Sequence, residues 1–184
     1  MKKIENSQPS PEKRINELKL DLACGQAKQE GYFGLDIAKG EKVDAVVDLE
    51  QFPWPIESES AEDIFCSHYI EHTPDLIKFM NEVYRILKPG GKIKIIAPYY
   101  NSIRCWQDPT HKRAISEATF LYYNKEWRTN NKLDHYPIDC DFDYTYGYDM
   151  AVEWANRSEE ARNFAIKHYV NIINDLHVVL TKRV

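Results

Sequence analysis

Five short apolar segments, each running into an acidic or polar residue, constrain this chain more than any other feature of its sequence. Leu18-Lys19-Leu20-Asp21-Leu22-Ala23 alternates apolar with polar and stops at Cys24-Gly25. Gly34-Leu35-Asp36-Ile37 ends near an acid, and Val43-Asp44-Ala45-Val46-Val47 is followed by Asp48. Residues 61–66 run into Ser67-His68, and residues 92–97 into Pro98-Tyr99. Segments of this length bounded by turn residues are strands. A helix separates the fourth from the fifth. Thr73 is its expected cap, Pro74 its first residue and Asp75 an acid where the helix dipole favours one. Leu76, Met80, Val83 and Leu87 form its apolar face, and Pro89-Gly90-Gly91 its stop. Strands alternating with helices predict an α/β fold on a largely parallel sheet. A second helix is expected from Ser158, and a closing strand over Leu176 to Leu180.

The 184 residues make one domain, assigned to 18–184. Residues 1–17 are polar, contain Pro9 and Pro11, and read as an arm leading into a short helix. A formal charge of −5 gives no global attraction for phosphate backbones, so nucleic acid is not an expected partner. Apolar runs are too short to cross a bilayer, so no membrane association is expected. Four scattered cysteines without a C-x-x-C pair suit reduced thiols and a cytoplasmic setting. Only 7 residues are glycine, which disfavours a glycine-loop phosphate binder, whereas 12% are aromatic. Most of the aromatic residues follow the fifth strand, within 99–157, where they read as core or sheet surface or, in the functional alternative, as a lid over a ligand site. Tyr144, Tyr146 and Tyr148 alternate like a strand with one aromatic face.

Ligands of open α/β sheets bind at the carboxyl ends of the strands. There Asp21-Leu22-Ala23-Cys24-Gly25-Gln26-Ala27 resembles motif I of the class I S-adenosylmethionine-dependent methyltransferases. Glu71-His72 leading to Glu82-Val83-Tyr84-Arg85-Ile86-Leu87-Lys88-Pro89-Gly90-Gly91 is similar to strands four and five of their small-molecule, type 11-like branch. The resemblance implies a Rossmann-like, mostly parallel seven-stranded sheet with helices on both faces, and S-adenosylmethionine as cofactor. It also implies methyl transfer to oxygen or nitrogen of a small-molecule or glycan-like acceptor. Asp21, Ala23, Gly25, Asp36, Asp48, Leu49 and Ser67 fall at its cofactor positions. Small residues at Ala23 and Gly25 admit the cofactor's methionine part. Asp36 resembles the ribose-binding acid, able to accept from both hydroxyls. Asp48 and the Leu49 amide match the adenine contacts. One departure stands out. Only ten residues, Gln26 to Leu35, separate Gly25 from Asp36, whereas a helical crossover needs about a dozen or more. The first crossover helix is therefore shortened, with Lys28 or the amides near Gln26 left to hold the cofactor's carboxylate.

Methyl transfer to a hydroxyl needs a nearby base, and histidine is the natural one at neutral pH. His111 is the first candidate, oriented by Asp108, and His68 the second; the alternative makes residues 108–111 a simple turn. His68-Tyr69-Ile70-Glu71-His72 also fits H-x-x-E-H, a zinc-peptidase signature that requires one continuous helix. Thr73-Pro74 begins a new helix, so a turn is expected instead. The segment also resembles some quinone-biosynthesis O-methyltransferases that use a divalent metal near the Glu-His pair, which would place one on His68, Glu71 and His72; the favoured alternative assigns no metal, with Glu71 and His72 bracing the site by hydrogen bonds. The rival functions are a metal-dependent hydrolase using His68, Glu71 and His72, and a non-catalytic module that keeps the cofactor fold for binding.

Overall fold

The computed structural model describes residues 18–184; the expected N-terminal arm lies outside them. The strands are β1 (Leu18–Leu22), β2 (Phe33–Asp36), β3 (Ala45–Val46), β4 (Ala61–Ser67), β5 (Leu87–Pro98), β6 (Phe142–Met150) and β7 (Ile173–Lys182). They form one seven-stranded sheet in the order β3-β2-β1-β4-β5-β7-β6. The first five are parallel, and β7 runs antiparallel to both β5 and β6. The helices are α1 (Leu76–Ile86), α2 (Ile103–Gln107), α3 (Lys125–Asn130), α4 (Val152–Ala155) and α5 (Glu159–His168), with a 3-10 helix at Glu117–Tyr123.

Period-two alternation decides which face of the sheet is dry. Leu20, Leu22, Ile64, Cys66, Ile93 and Ile95 are buried in one cluster with Phe79, Met80, Val83 and Ile86 of α1. Between them on the same strands, Lys92 and Lys94 are exposed, and Lys19, Asp63 and Phe65 only partly covered. A parallel sheet buried on both faces reads as continuous apolar runs. Here the alternation in Leu18–Leu22 and in residues 92–95 matches thin cover over the second face.

No helix joins β1 to β2. The chain crosses through turns, and side chains satisfy its backbone in place of helical bonds. The Gln29 amide donates to Asp21 Oδ2 (2.7 Å), the Gly25 amide to Asp36 Oδ2 (2.9 Å), and Gly34 to Asp44 Oδ2 (2.6 Å). Lys28 Nζ pairs with the same Asp44 carboxylate at 2.6 Å. That ammonium is thus committed within the loop rather than free for the cofactor's carboxylate.

Two boundaries differ from the sequence reading. The cap of α1 is Asp75, whose carboxylate accepts from the Lys78 amide at 3.0 Å. Thr73 is buried and its hydroxyl turns to Glu50 instead. Strand β5 starts at Leu87 rather than Lys92, because Leu87 already pairs with Ala61 across a register shift. Ser158 caps α5 as expected, accepting from the Ala161 amide.

Candidate active site

The carboxyl edge of the sheet gathers most of the polar residues singled out in the sequence. On its β1–β3 side, Ala23 (φ 54°) and Gly25 (φ 50°) both adopt left-handed backbone as the chain leaves β1. A Cβ built on Gly25 would meet nothing within 4 Å, so the turn faces open space. Asp36 closes β2 beside it, accepting from Gly25 through one oxygen and from Ala38 through the other. A carboxylate has about four lone-pair sites, so two remain for a diol. Asp21 is buried at 2% exposure and spends an oxygen on the Gln29 amide. Burial raises its pKa, opposed by that bond and by Lys28. Asp48 follows β3 and accepts from the Glu50 amide at 2.9 Å. Leu49 is buried, its carbonyl held by Trp54 Nε1 at 3.1 Å. Ser67 ends β4, half-buried.

On the β4–β5 side the edge is built from histidines. His68 follows β4 in left-handed backbone (φ 53°), with its amide bonded to the Ile96 carbonyl. Its Nδ1 lies 3.5 Å from Glu71 Oε1, and the contact favours the protonated ring. Residues 68–72 are turns and not helix, so the H-x-x-E-H spacing does not bring its histidines together as a helical zinc motif does. His111 enters from the loop after α2, and its ring packs edge-on against His72 with centroids 4.6 Å apart.

The expected pairing of Asp108 with His111 takes a different form. His111 Nδ1 faces the Cys105 carbonyl at 2.7 Å. The Asp108 carboxylate instead accepts from the amide and the hydroxyl of Thr110, which hold it below the usual carboxylate pKa. Thr110 in turn meets His72 Nδ1 at 3.0 Å. Asp108 therefore shapes the turn and reaches His72 through a hydroxyl.

Glu117, Arg104 and Asp175 reach this edge without having been singled out. Tyr99 donates to Glu117 at 3.0 Å, and Asp175 pairs with Arg104 at 2.5 Å at the start of β7. Each pair joins residues at least 18 apart, which no local pattern reports. The tyrosine stripe only partly belongs here. Tyr148 lies level with Leu176 and Ala97 and packs on Tyr99, whereas Tyr146 and Tyr144 pair with Val178 and Leu180, farther down the sheet.

Residues 20–95 match a family model described as a methyltransferase domain, and that stretch carries the turn after β1 together with Asp36, Asp48 and His68. Over that stretch the chain resembles a methyltransferase domain. Solved structures agree in fold. A S-adenosylmethionine-dependent methyltransferase from Archaeoglobus fulgidus superposes with a TM-score of 0.63 at 19% identity, covering 92% of this chain and 89% of its own. The YcgJ protein of Bacillus subtilis gives 0.55 at 16% identity, covering 93% and 94%. No curated protein matches the chain by sequence. S-adenosylmethionine is the cofactor that the sequence resemblance implies, and the donor set fits that molecule: an open left-handed turn beside a carboxylate with spare lone pairs. Among the described residues, no helix is long and apolar enough to cross a membrane.

Proposed function

We propose that this methyltransferase acts on oxygen or nitrogen of a small-molecule or glycan-like acceptor, bound where the histidines meet the carboxyl edge of β4 and β5. The observation that carries the reading is the division of that edge. Asp36, Asp48 and the open turn at Gly25 stand on the β1–β3 side, and the imidazoles of His68, His72 and His111 on the β4–β5 side. S-adenosylmethionine supplies an electrophilic methyl group on a sulfonium, so the protein's work is to align the acceptor, exclude water and receive a proton.

In this reading Ala23 and Gly25 let the backbone approach the cofactor. Asp36 accepts from the ribose hydroxyls, and Asp48 with the Leu49 amide contacts adenine. Asp21 and Ser67 hold the ends of β1 and β4 in place. The acceptor's proton passes to His111 or His68. At His111 the Cys105 carbonyl can only accept, so Nδ1 carries hydrogen and Nε2 is left with its lone pair. Asp108 serves by fixing the turn from which His111 projects.

Calorimetry with S-adenosylhomocysteine tests the cofactor half. A folded protein that shows no binding at high micromolar concentration rejects it. The acceptor half is tested by following S-adenosylhomocysteine release across a panel of phenols, sugars and amines. Loss of turnover in both His111→Ala and His68→Ala with cofactor affinity retained would support the assigned bases. Full turnover in both would reject them.

A further inference from the structure

Resting on the methyl-transfer reading of the preceding subsection, we propose that Arg104 and His68 form an oxyanion site for the acceptor. The molecule methylated here then carries a carboxylate or a phosphate monoester near its reacting oxygen or nitrogen.

Two ion pairs stand at the acceptor side of the carboxyl edge, and both are turned the same way. Arg104 Nη1 meets Asp175 Oδ2 at 2.5 Å, with the arginine side chain 45% exposed and the aspartate 9%. His68 Nδ1 lies 3.5 Å from Glu71 Oε1, with the imidazole 48% exposed and the glutamate 1%. Each base faces outward and each acid inward. Asp175 Oδ1 and both oxygens of Glu71 are buried without a hydrogen-bond partner among the described residues. The hydrogen bonds expected of Glu71 in bracing the site are therefore not made by its carboxylate. A ligand arriving at this surface meets the two bases, and the acids act on it only through them. The outward ends of both pairs are positive, on a chain whose formal charge is −5.

Topology brings the pairs together. The His68 amide bonds the Ile96 carbonyl, and Asp175 pairs with Pro98, so they flank the last residues of β5 from β4 and from β7. Neighbouring strands are about 4.8 Å apart, which sets the two flanking backbones roughly 10 Å from each other. His68 senses the charges of both Asp175 and Arg104 across that gap.

The donors left over define the ligand. Asp175 takes one nitrogen of the guanidinium and orients it, while Nη2 and Nε make no other hydrogen bond among the described residues. A planar fork with donors to spare matches two oxygens of a carboxylate or phosphate. The Glu71 contact favours the protonated ring of His68, whose Nε2 then carries a hydrogen for the same anion. A neutral acceptor would leave these donors unmatched, and an ammonium would face two outward cations.

The assignment also separates the roles of the two candidate bases. With His68 on the oxyanion, the acceptor's proton passes to His111 Nε2 as the methyl group moves from sulfur to oxygen or nitrogen. The carbonyl that holds His111 Nδ1 belongs to Cys105, next to Arg104 in α2. One short helix thus sets both the anchor and the orientation of the base.

The test is calorimetry at low salt on the full chain, with and without S-adenosylhomocysteine, using benzoate and phenyl phosphate as unreactive probes and benzamide as the uncharged match. At least one oxyanion should bind at millimolar concentration or below while benzamide does not. Tighter benzoate assigns a carboxylate and tighter phenyl phosphate a phosphate monoester. Affinity for the better probe should fall at least roughly tenfold in Arg104→Gln and at least roughly threefold in His68→Ala. If Arg104→Gln does not fold, Arg104→Lys decides in its place, since it keeps a cation for Asp175 without the fork; a loss of at least about fivefold is expected. No oxyanion binding, equal binding of benzamide, or affinity within twofold of the parent in either the arginine or the histidine variant overturns the site. Binding of S-adenosylhomocysteine without oxyanion binding overturns the site and leaves the methyl-transfer reading standing. Oxyanion binding with the expected variant losses, in a chain that does not bind S-adenosylhomocysteine, supports the site and overturns that reading.

Discussion

Asp36 accepts a hydrogen bond from the amide of Gly25 at 2.9 Å, so one carboxylate ties the end of β2 to the turn that leaves β1. The same group is the assigned ribose acceptor, which makes loop order and cofactor affinity depend on one side chain. Asp36→Ala removes a charged acceptor with two bonds to give, each worth about 1.5–3 kcal/mol. S-adenosylhomocysteine affinity should fall at least tenfold, a loss of about 1.4 kcal/mol or more. Calorimetry that returns an affinity within twofold of the parent would remove Asp36 from the cofactor site.

Ala23 sits at φ 54° between β1 and that turn. The left-handed region costs a residue with a Cβ roughly 1–2 kcal/mol, and glycine almost nothing. Ala23→Gly should therefore raise stability, by about 1 kcal/mol less the entropy glycine adds to the unfolded chain. The urea midpoint measures it. A lower midpoint would mean that the alanine methyl contributes packing that outweighs the strain.

The strand ends were legible because alternation and terminal acids are local signals. Asp21, Asp36 and Asp48 each stand where an apolar run stops, and the ten-residue gap announced the missing helix. The boundary at Asp75 was not legible, because Thr73 and Asp75 are both competent caps. The choice is made by Glu50, 23 residues away, which takes the Thr73 hydroxyl. The histidine cluster was half legible. His68, Glu71 and His72 are neighbours in sequence, but His111 joins them through loop closure over 39 residues from His72. The thin cover over Lys92 and Lys94 was written in the alternation itself.

Asp44 anchors the loop that replaces the first helix. The Gly34 amide and then Lys28 hold its carboxyl below the usual value of 3.8. A depressed folded pKa contributes stability that is present above the unfolded value and lost as pH falls through the folded one. Asp44→Asn should thus be less stable than the parent by a constant margin from about pH 5 to 8, closing below pH 3.8. Chemical denaturation across that range measures the margin. A gap that persists unchanged at pH 2.5 would assign the effect to amide geometry rather than charge.

Arg128 clamps the segment after β5 from inside. At 5% exposure, its guanidinium donates to the carbonyls of Tyr122 (2.8 Å), Ile138 (3.2 Å) and Cys140 (2.9 Å). These carbonyls belong to the 3-10 helix and to the approach to β6, so one side chain sets the spacing between α3 and the outer strands. Arg128→Met keeps most of the volume but leaves buried acceptors unpaired, at about 1–3 kcal/mol each. A loss of roughly 3 kcal/mol in unfolding free energy is expected, allowing for partial relaxation. Arg128→Lys should recover little of it, because an ammonium lacks the planar fork that spans three carbonyls. The assigned cofactor residues all lie between Asp21 and Ser67, outside this clamp. S-adenosylhomocysteine affinity in the folded variant should therefore stay within about twofold of the parent while the denaturant midpoint falls. A parallel loss of cofactor affinity would show that the outer segment reaches the cofactor side of the edge.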